Sequence, residues 1–338
     1  MTDDTEPPPK FEPGTKINKL KIIQYIDSGG CGDIYSVQDI ETNEVFAIKT
    51  ENLNTKQPVL NTEIYILKRI QGANYFPKLI SIGSYSDFQY FEMELLGPSI
   101  SKMRRILPHK KYTPFSILRL SYEMLVCIEE LHKFGFIHRD IKPGNFLIRP
   151  NRMNPICLID FGLSSSYIDQ ETGRHIIYRE NAGFVGTCRY ASLNVHYEIE
   201  VSRRDDLISW FYSILEIANG YVPWPGSTDR KKTEEIKREI TPEELCKNLP
   251  DEYISIYNYL IKIRFEEEPD YDFIKRQLIN ALNGYDFPSF RFDWEFLKPE
   301  KIEKISPGFP LDMGDEPLTP DYNTALSGEA GCKCCNIS

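Results

Sequence analysis

Positive charge is in short supply along this chain of 338 residues: 40 lysines and arginines face 50 aspartates and glutamates, a formal charge of −10. A phosphate backbone needs clustered Lys and Arg, so nucleic acid is excluded as the primary partner. Long apolar runs are missing too, and no stretch approaches the ~20 residues that span a bilayer. Residues Met1 to Pro9 are acidic and proline-rich, without the charged-then-apolar layout of a secretory signal. No internal repeat is present. What is there is an ordinary globular composition, 41% hydrophobic and 27% charged, on a chain long enough to bury a core in two lobes and still carry a tail.

The cysteines divide into two sets. Cys31, Cys127, Cys157, Cys188 and Cys246 are scattered through apolar and loop contexts, as expected of reduced thiols in the cytoplasm. Cys332, Cys334 and Cys335 crowd the end of the chain. Residues 1–16, rich in Pro, Asp and Thr, read as a flexible leader. Short strand-like runs follow at Ile22 to Ile26, Ile34 to Val37, Val45 to Lys49, Leu79 to Ile82 and Tyr90 to Leu95, interrupted by one helical stretch, Val59 to Ile70. Beyond Gly97-Pro98 the pattern turns helical. Thr113 is placed to cap a helix that opens with Pro114, repeats Ile117, Leu120, Met124, Ile128 and Leu131 at three- and four-residue steps, and stops at Gly135. Further helices are expected at Asp206 to Asn219, Glu252 to Lys262 and Tyr271 to Leu282. From Pro299 onward, Pro, Gly and acidic residues predict a disordered tail. The expected fold is α+β and bilobal: a β-rich lobe over 17–96 with one main helix, and a larger, mostly α-helical lobe over 97–298.

The chemistry is concentrated in His138-Arg139-Asp140-Ile141-Lys142-Pro143-Gly144-Asn145, followed by Asp160-Phe161-Gly162. Phosphoryl transfer from ATP is mostly positioning plus neutralisation of charge on the transferring group. Asp140 can accept a hydrogen bond from an attacking hydroxyl, and Lys142 can sit beside the phosphoryl oxygens. Asn145 and Asp160 offer the hard oxygen ligands that Mg2+ prefers. The set resembles the protein-kinase signature, against the alternative of a charged surface turn with a stray Asp-Phe-Gly. Upstream, Ile26 to Ile34 carries Gly29, Gly30 and Gly32, which let backbone amides approach phosphate, although Asp27 stands where the usual first glycine would be. Lys49 ends the third strand on the same face as Ala47, within reach of the α/β-phosphates. Glu63, in the lobe's one helix, is its natural partner, with Glu51 as a rival on spacing alone. Ala47, Leu95, Leu96 and Leu147 are candidate walls for the adenine, Met93 guards the back of that pocket, and the backbone of Glu94 to Leu96 is the candidate for bonding the base edge. Simple core packing is the competing reading for each.

Leu95-Leu96-Gly97-Pro98-Ser99, Gly186-Thr187-Cys188-Arg189-Tyr190-Ala191-Ser192, Ser192-Leu193-Asn194 in place of Ala-Pro-Glu, and Ser202-Arg203-Arg204-Asp205-Asp206-Leu207 resemble the casein kinase 1 family. Asn181 to Thr187, Leu67 to Gly72 and Phe211 to Glu216 are similar to its tau-tubulin kinase branch. The resemblance covers roughly residues 17–298. It implies a serine/threonine protein kinase using ATP and Mg2+, with Lys142 two residues after Asp140 fitting that acceptor class. Asp206 would hold the backbone of the catalytic loop. Protein substrates, acidic or already phosphorylated, would meet Arg189, whose guanidinium forks onto phosphate, together with Lys231 and Lys232. A lysine expected after Pro223-Trp224-Pro225-Gly226 is replaced by Ser227-Thr228, and Arg203 and Arg204 are further candidates that salt bridges within the lobe would consume. Arg139 sits where many kinases read a phosphate on the activation segment, but the resemblance implies basal activity without one. A monomer is expected. The rival classes are a pseudokinase scaffold, which usually loses the strand lysine or a loop aspartate, and a small-molecule kinase, against which the Gly186 to Asn194 stretch argues.

Cys335-Asn336-Ile337-Ser338 is a C-a-a-X ending, which predicts farnesylation of Cys335. One lipid chain holds a membrane only marginally. From Pro299 to Ser338 three lysines face seven carboxylates, a charge of −4, so no polybasic stretch helps. Palmitate on Cys332 and Cys334 would supply the second signal. An unmodified cluster, a partial metal site and a chance ending are the alternatives. The expectation is a cytoplasmic protein attached peripherally to membranes through its lipid anchor.

Overall fold

The computed structural model describes residues 10–29, 32–149, 154–225, 229–283 and 291–306. The chain divides into two compact units, one holding residues up to 72 with 76–96 and the other holding 73–75 with everything from 97 onward.

The smaller unit is an antiparallel sheet of β1 (Lys16–Ile17), β2 (Leu20–Gly29), β3 (Gly32–Asp39), β4 (Val45–Asn52), β5 (Leu79–Tyr85) and β6 (Phe88–Glu94), with α1 (Leu60–Ile70) inserted after β4. The strand order is β1-β2-β3-β4-β6-β5. Every expected strand run is present, and most are longer than their apolar cores. Ile17, Leu20, Ile22, Tyr35, Val37, Ile48 and Tyr90 form one buried cluster; each such side chain contributes about 1.5–3 kcal/mol when fully buried. The leader is shorter than expected. Phe11 packs edge-on against Tyr35, whose hydroxyl accepts from the amides of Lys10 and Phe11 at 3.1 and 3.3 Å, and Gly14 and Thr15 bond the backbone of Ile22. Residues 10–16 therefore belong to the folded unit.

The larger unit contains α2 (Ile100–Arg104), α3 (Pro114–Lys133), β7 (Phe136–Ile137), β8 (Phe146–Ile148), β9 (Ile156–Leu158), β10 (Ser165–Ser166), α4 (Leu193–His196), α5 (Arg203–Asn219), α6 (Arg230–Glu239), α7 (Pro242–Leu245), α8 (Asp251–Leu260), α9 (Tyr271–Asn280) and α10 (Pro299–Glu303). Thr113 caps α3 as its sequence predicts, accepting from Ser116 N, with Pro114 in the first turn. Asp293 fastens that cap, bonding Thr113 N and Oγ1 at 2.7 and 2.8 Å. Leu120, Met124, Ile128 and Leu131 are fully buried, and Trp210 of α5 donates its indole N–H to Ser121 O at 3.1 Å. α5 begins at Arg203 rather than Asp206, with the Asp205 carboxylate reaching back to accept from Ser202 N at 2.8 Å. The segment from Pro299 is not wholly disordered: α10 starts on Pro299, and Ile302 is 2% exposed. The expected tail cysteines Cys332, Cys334 and Cys335 lie outside the described residues, as do Gly30 and Cys31.

Candidate active site

In the larger unit the loop from His138 to Asn145 is held from beneath by α5. Asp206, 2% exposed, accepts from His138 N at 2.6 Å, from Arg139 N at 2.8 Å and from His132 Nε2 at 3.0 Å. Burial works to raise this carboxyl's pKa, but His132 and the amide donors prevail and hold it below the usual range. Burial keeps His132 low in turn, so a neutral imidazole donates from Nε2 to Asp206 and accepts at Nδ1 from Tyr271 Oη, 2.6 Å away. These bonds fix Arg139 at φ +66°, a left-handed conformation unusual for a side-chain-bearing residue. Its guanidinium, whose pKa burial lowers, donates to Leu163 O at 2.5 Å.

Above that platform Asp140 is held at both oxygens. Lys142 Nζ lies 2.7 Å from Oδ2, and Thr187 donates its hydroxyl to Oδ1 at 2.7 Å. Lys142 also reaches Thr187 Oγ1 at 3.4 Å. Thr187 can come this close only because Gly186, at φ +84°, has no side chain: a Cβ there would collide with Arg139 O. Asn145 donates Nδ2 to Asp140 O at 2.9 Å, which turns its amide oxygen toward the remaining side. The β8–β9 pair opposes Phe146 to Leu158, and Ile159 N bonds Asn145 O at 3.0 Å. Asn145 and Asp160 thus sit at the same end of one ribbon. Their oxygens suit Mg2+. Buried Phe161 and His138, edge to face at 5.5 Å, anchor that turn.

The smaller unit carries the other expected set. Lys49 and Glu63, 4% and 3% exposed, are paired at 2.7 Å. The rival Glu51 is engaged elsewhere. Its Oε1 accepts from Val59 N and Leu60 N at 2.9 and 3.2 Å, capping α1, while Oε2 accepts from Gln89. Gly29 pairs with Gly32 at the tip of the β2–β3 hairpin, and Ile34 pairs with Lys49. Gly32, at φ +117°, would drive a Cβ into Thr50 O, so a side chain is barred there. Asp27, where the usual glycine would be, accepts from Ser28 N at 3.0 Å, and Ile26 falls at the adjoining bulge. Ala47 opposes Met93 across β4 and β6, and Ala47, Met93 and Leu96 are all buried. Glu94 is tied to Lys78 by its amide and its carboxylate. Leu147 lies on β8 of the larger unit, bridged to Ser99.

The expected phosphate-reading cations are not gathered. Arg189 faces Glu216 at 4.0 Å, and Tyr190 donates its hydroxyl to the same carboxylate. Burial pushes the Tyr190 phenol well up, with Glu216 adding to it. Lys231 and Lys232 are exposed in the first turn of α6. Among the described residues no hydrogen bond or ion pair links either to the 186–194 segment. Arg203 bonds Glu266 O and stacks on Tyr167, while Arg204 bonds Ile263 O and approaches Asp205 at 3.6 Å; both are spent inside the unit. Ser227 and Thr228 lie outside the described residues. Asp205 stands behind the Ser192-Leu193-Asn194 departure, accepting from Ser192 Oγ at 2.6 Å, Asn194 Nδ2 at 2.8 Å and Ser202 N at 2.8 Å.

Thr187 and Glu216 fall inside stretches that carry the family resemblance, without a role being read for them there. His132, in the last turn of α3, and Tyr271, far along the chain, support the loop from outside its motif. Lys237 of α6 is the lysine that does reach the segment, donating to Cys188 O and Ala191 O at 2.9 and 2.7 Å. Burial brings its pKa down to about 7. Among the described residues no helix is long and apolar enough to cross a membrane. In comparison with known families, the model described as Protein kinase domain matches residues 20–279.

Proposed function

Because the chain belongs to the protein kinase family, we propose that it transfers the γ-phosphoryl group of ATP to serine and threonine hydroxyls of proteins, in the manner of casein kinase 1 and tau-tubulin kinases. The observation that carries this reading is Asp140, gripped by Lys142 at one oxygen and Thr187 at the other. An acceptor hydroxyl bonded to that carboxylate is aimed, and its proton has somewhere to go as the new P–O bond forms. Lys142 stands beside the same point to offset charge on the transferring oxygens. Lys49, oriented by Glu63, binds the α/β-phosphates, and the Gly29–Gly32 hairpin offers backbone amides. Asn145 and Asp160 would hold Mg2+, which when bound neutralises phosphate charge. Within the smaller unit, Ala47, Met93 and Leu96 would receive the adenine.

Lys142, two residues after Asp140, supports the Ser/Thr assignment. Arg189 is the cation offered to an acidic or phosphorylated residue of the substrate. Glu216 competes for it, so the preference is modest. We also propose farnesylation of Cys335 in Cys335-Asn336-Ile337-Ser338, with palmitate on Cys332 and Cys334 as the second signal and attachment of the kinase to a cytoplasmic membrane surface.

A peptide library with Ser, Thr or Tyr acceptors, each carrying phosphoserine, Asp or Ala upstream, tests the substrate assignment. Labelling of Ser and Thr peptides with little gain from phosphoserine is expected; dominant Tyr labelling refutes it. Metabolic labelling with a farnesyl analogue tests the anchor: the intact chain takes the label and Cys335→Ser does not. An unlabelled intact chain ends that part of the proposal.

A further inference from the structure

α6 is polar along nearly its whole length, yet it buries a lysine. Lys237 is 2% exposed, and among the described residues no carboxylate pairs with it. Burial without an anion penalises the charged form of this amine and brings its pKa down to about 7, so the position needs a reason beyond packing. Its ammonium meets three acceptors: Cys188 O at 2.9 Å, Ala191 O at 2.7 Å and His196 Nε2 at 3.3 Å. Burial, with Lys237 and Arg230 nearby, keeps His196 low, at about 4, so the ring is neutral at about pH 7 and, in the tautomer protonated at Nδ1, Nε2 accepts from Lys237. The faces of Tyr212 and Trp224 lie 5.0 and 4.9 Å from Nζ and receive its charge. Trp224 adds its own donor, Nε1 to Arg189 O at 2.8 Å.

Three carbonyls of one short segment, at 188, 189 and 191, are therefore fastened from outside. Within the segment, the amides of Tyr190 and Ala191 both turn back onto Thr187 O. Thr187 is the residue that holds Asp140 through its hydroxyl. Tyr190 and Ala191 also line, with Asp140, Ile141 and Thr187, the pocket beside the catalytic carboxylate.

We infer that Lys237 is a positioning residue that holds the Cys188–Ala191 segment in register with Asp140, and so sets how well an acceptor peptide is seated, without a part in ATP turnover. This rests on the kinase reading above. The group seated against that segment is the backbone and flanking side chain of a protein substrate, not the nucleotide.

The test uses the full chain, its best library peptide, and Lys237→Met, which keeps most of the apolar stem and removes the three donors. Peptide KM, ATP KM and peptide-free ATP hydrolysis are measured together. Peptide KM is expected to rise roughly tenfold or more, while ATP KM and ATP hydrolysis change less than about twofold. Loss of general stability alone does not produce that split, because it removes active molecules from both reactions equally. Trp224→Phe, which deletes the indole N–H, gives the same split in weaker form and decides the matter if the first variant does not fold. Parallel loss of both reactions, or an unchanged peptide KM in folded protein, overturns the assignment. If the unaltered chain neither hydrolyses ATP nor labels any peptide, the kinase reading fails and the role of Lys237 falls with it.

Discussion

Asp206→Asn is the substitution whose consequences the structure defines most closely. Oδ2 accepts from His138 N and His132 Nε2, and Oδ1 accepts from Arg139 N. An asparagine can keep its oxygen toward the first two, but its NH2 then points at the Arg139 amide, donor against donor. Losing one charge-assisted bond and stranding a buried amide costs about 2–4 kcal/mol. At roughly 2–4 °C per kcal/mol for a unit of this size, the melting temperature falls by about 10 °C. Arg139 is held at φ +66° by that bond, so the loop relaxes where Asp140 must be aimed. A loss of about 2.7 kcal/mol in the transition state corresponds to a kcat drop of about a hundredfold. Peptide transfer and thermal unfolding are read on the same preparation. The carboxyl's folded pKa is depressed, so its contribution to stability is complete above the ordinary carboxylate range and disappears as pH falls through the folded value; the variant lacks that dependence. Melting within about 2 °C of the parent and kcat within about threefold refute the reasoning.

Lys49→Met leaves Glu63 buried at 3% exposure without its ion partner; breaking such a pair costs about 3–5 kcal/mol, and transfer activity is expected to fall at least a hundredfold in a filter-binding assay, about 2.7 kcal/mol of barrier. His196, with a pKa of about 4, is protonated more readily in the unfolded chain, so stability rises with pH from about 4 to 6.5. That amounts to roughly 2 kcal/mol once solvent screening is allowed for, and His196→Gln should flatten the slope in denaturant melts across this range. Glu216→Gln frees Arg189 from its carboxylate, and kcat/KM for phosphoserine-primed peptides is expected to rise about three- to tenfold relative to Ala peptides; equal ratios in parent and variant contradict the competition.

The candidate catalytic residues stand out in the sequence because the chemistry proposed for them imposes spacing. Asp140, Lys142 and Asn145 lie within one loop, and Asp160 follows a short strand. The choice between Glu63 and Glu51 was not legible from spacing, since it depends on which carboxylate caps α1 and which faces Lys49. Apolar periodicity located α1, α3, α8 and α9 to within a residue or two. It missed α6, whose buried face is Thr233 and Lys237 rather than an apolar stripe, and α10, which has a single buried isoleucine. Phe11 and Ile302 show why the ends were set too tightly: one anchoring side chain is enough to order a short segment and too little to form a pattern. Arg189 was recognisable as a cation, but its neutralisation by Glu216 arises from the packing of α5 and is invisible along the chain.

Transfer of labelled phosphate from γ-labelled ATP and Mg2+ to an acidic protein by the purified chain, with Asp160→Asn alongside, tests the central claim most directly. Incorporation onto serine and threonine by the parent, lost in the variant, is the predicted result. Equal signals from the two proteins, or none from a parent shown to be folded, contradict it.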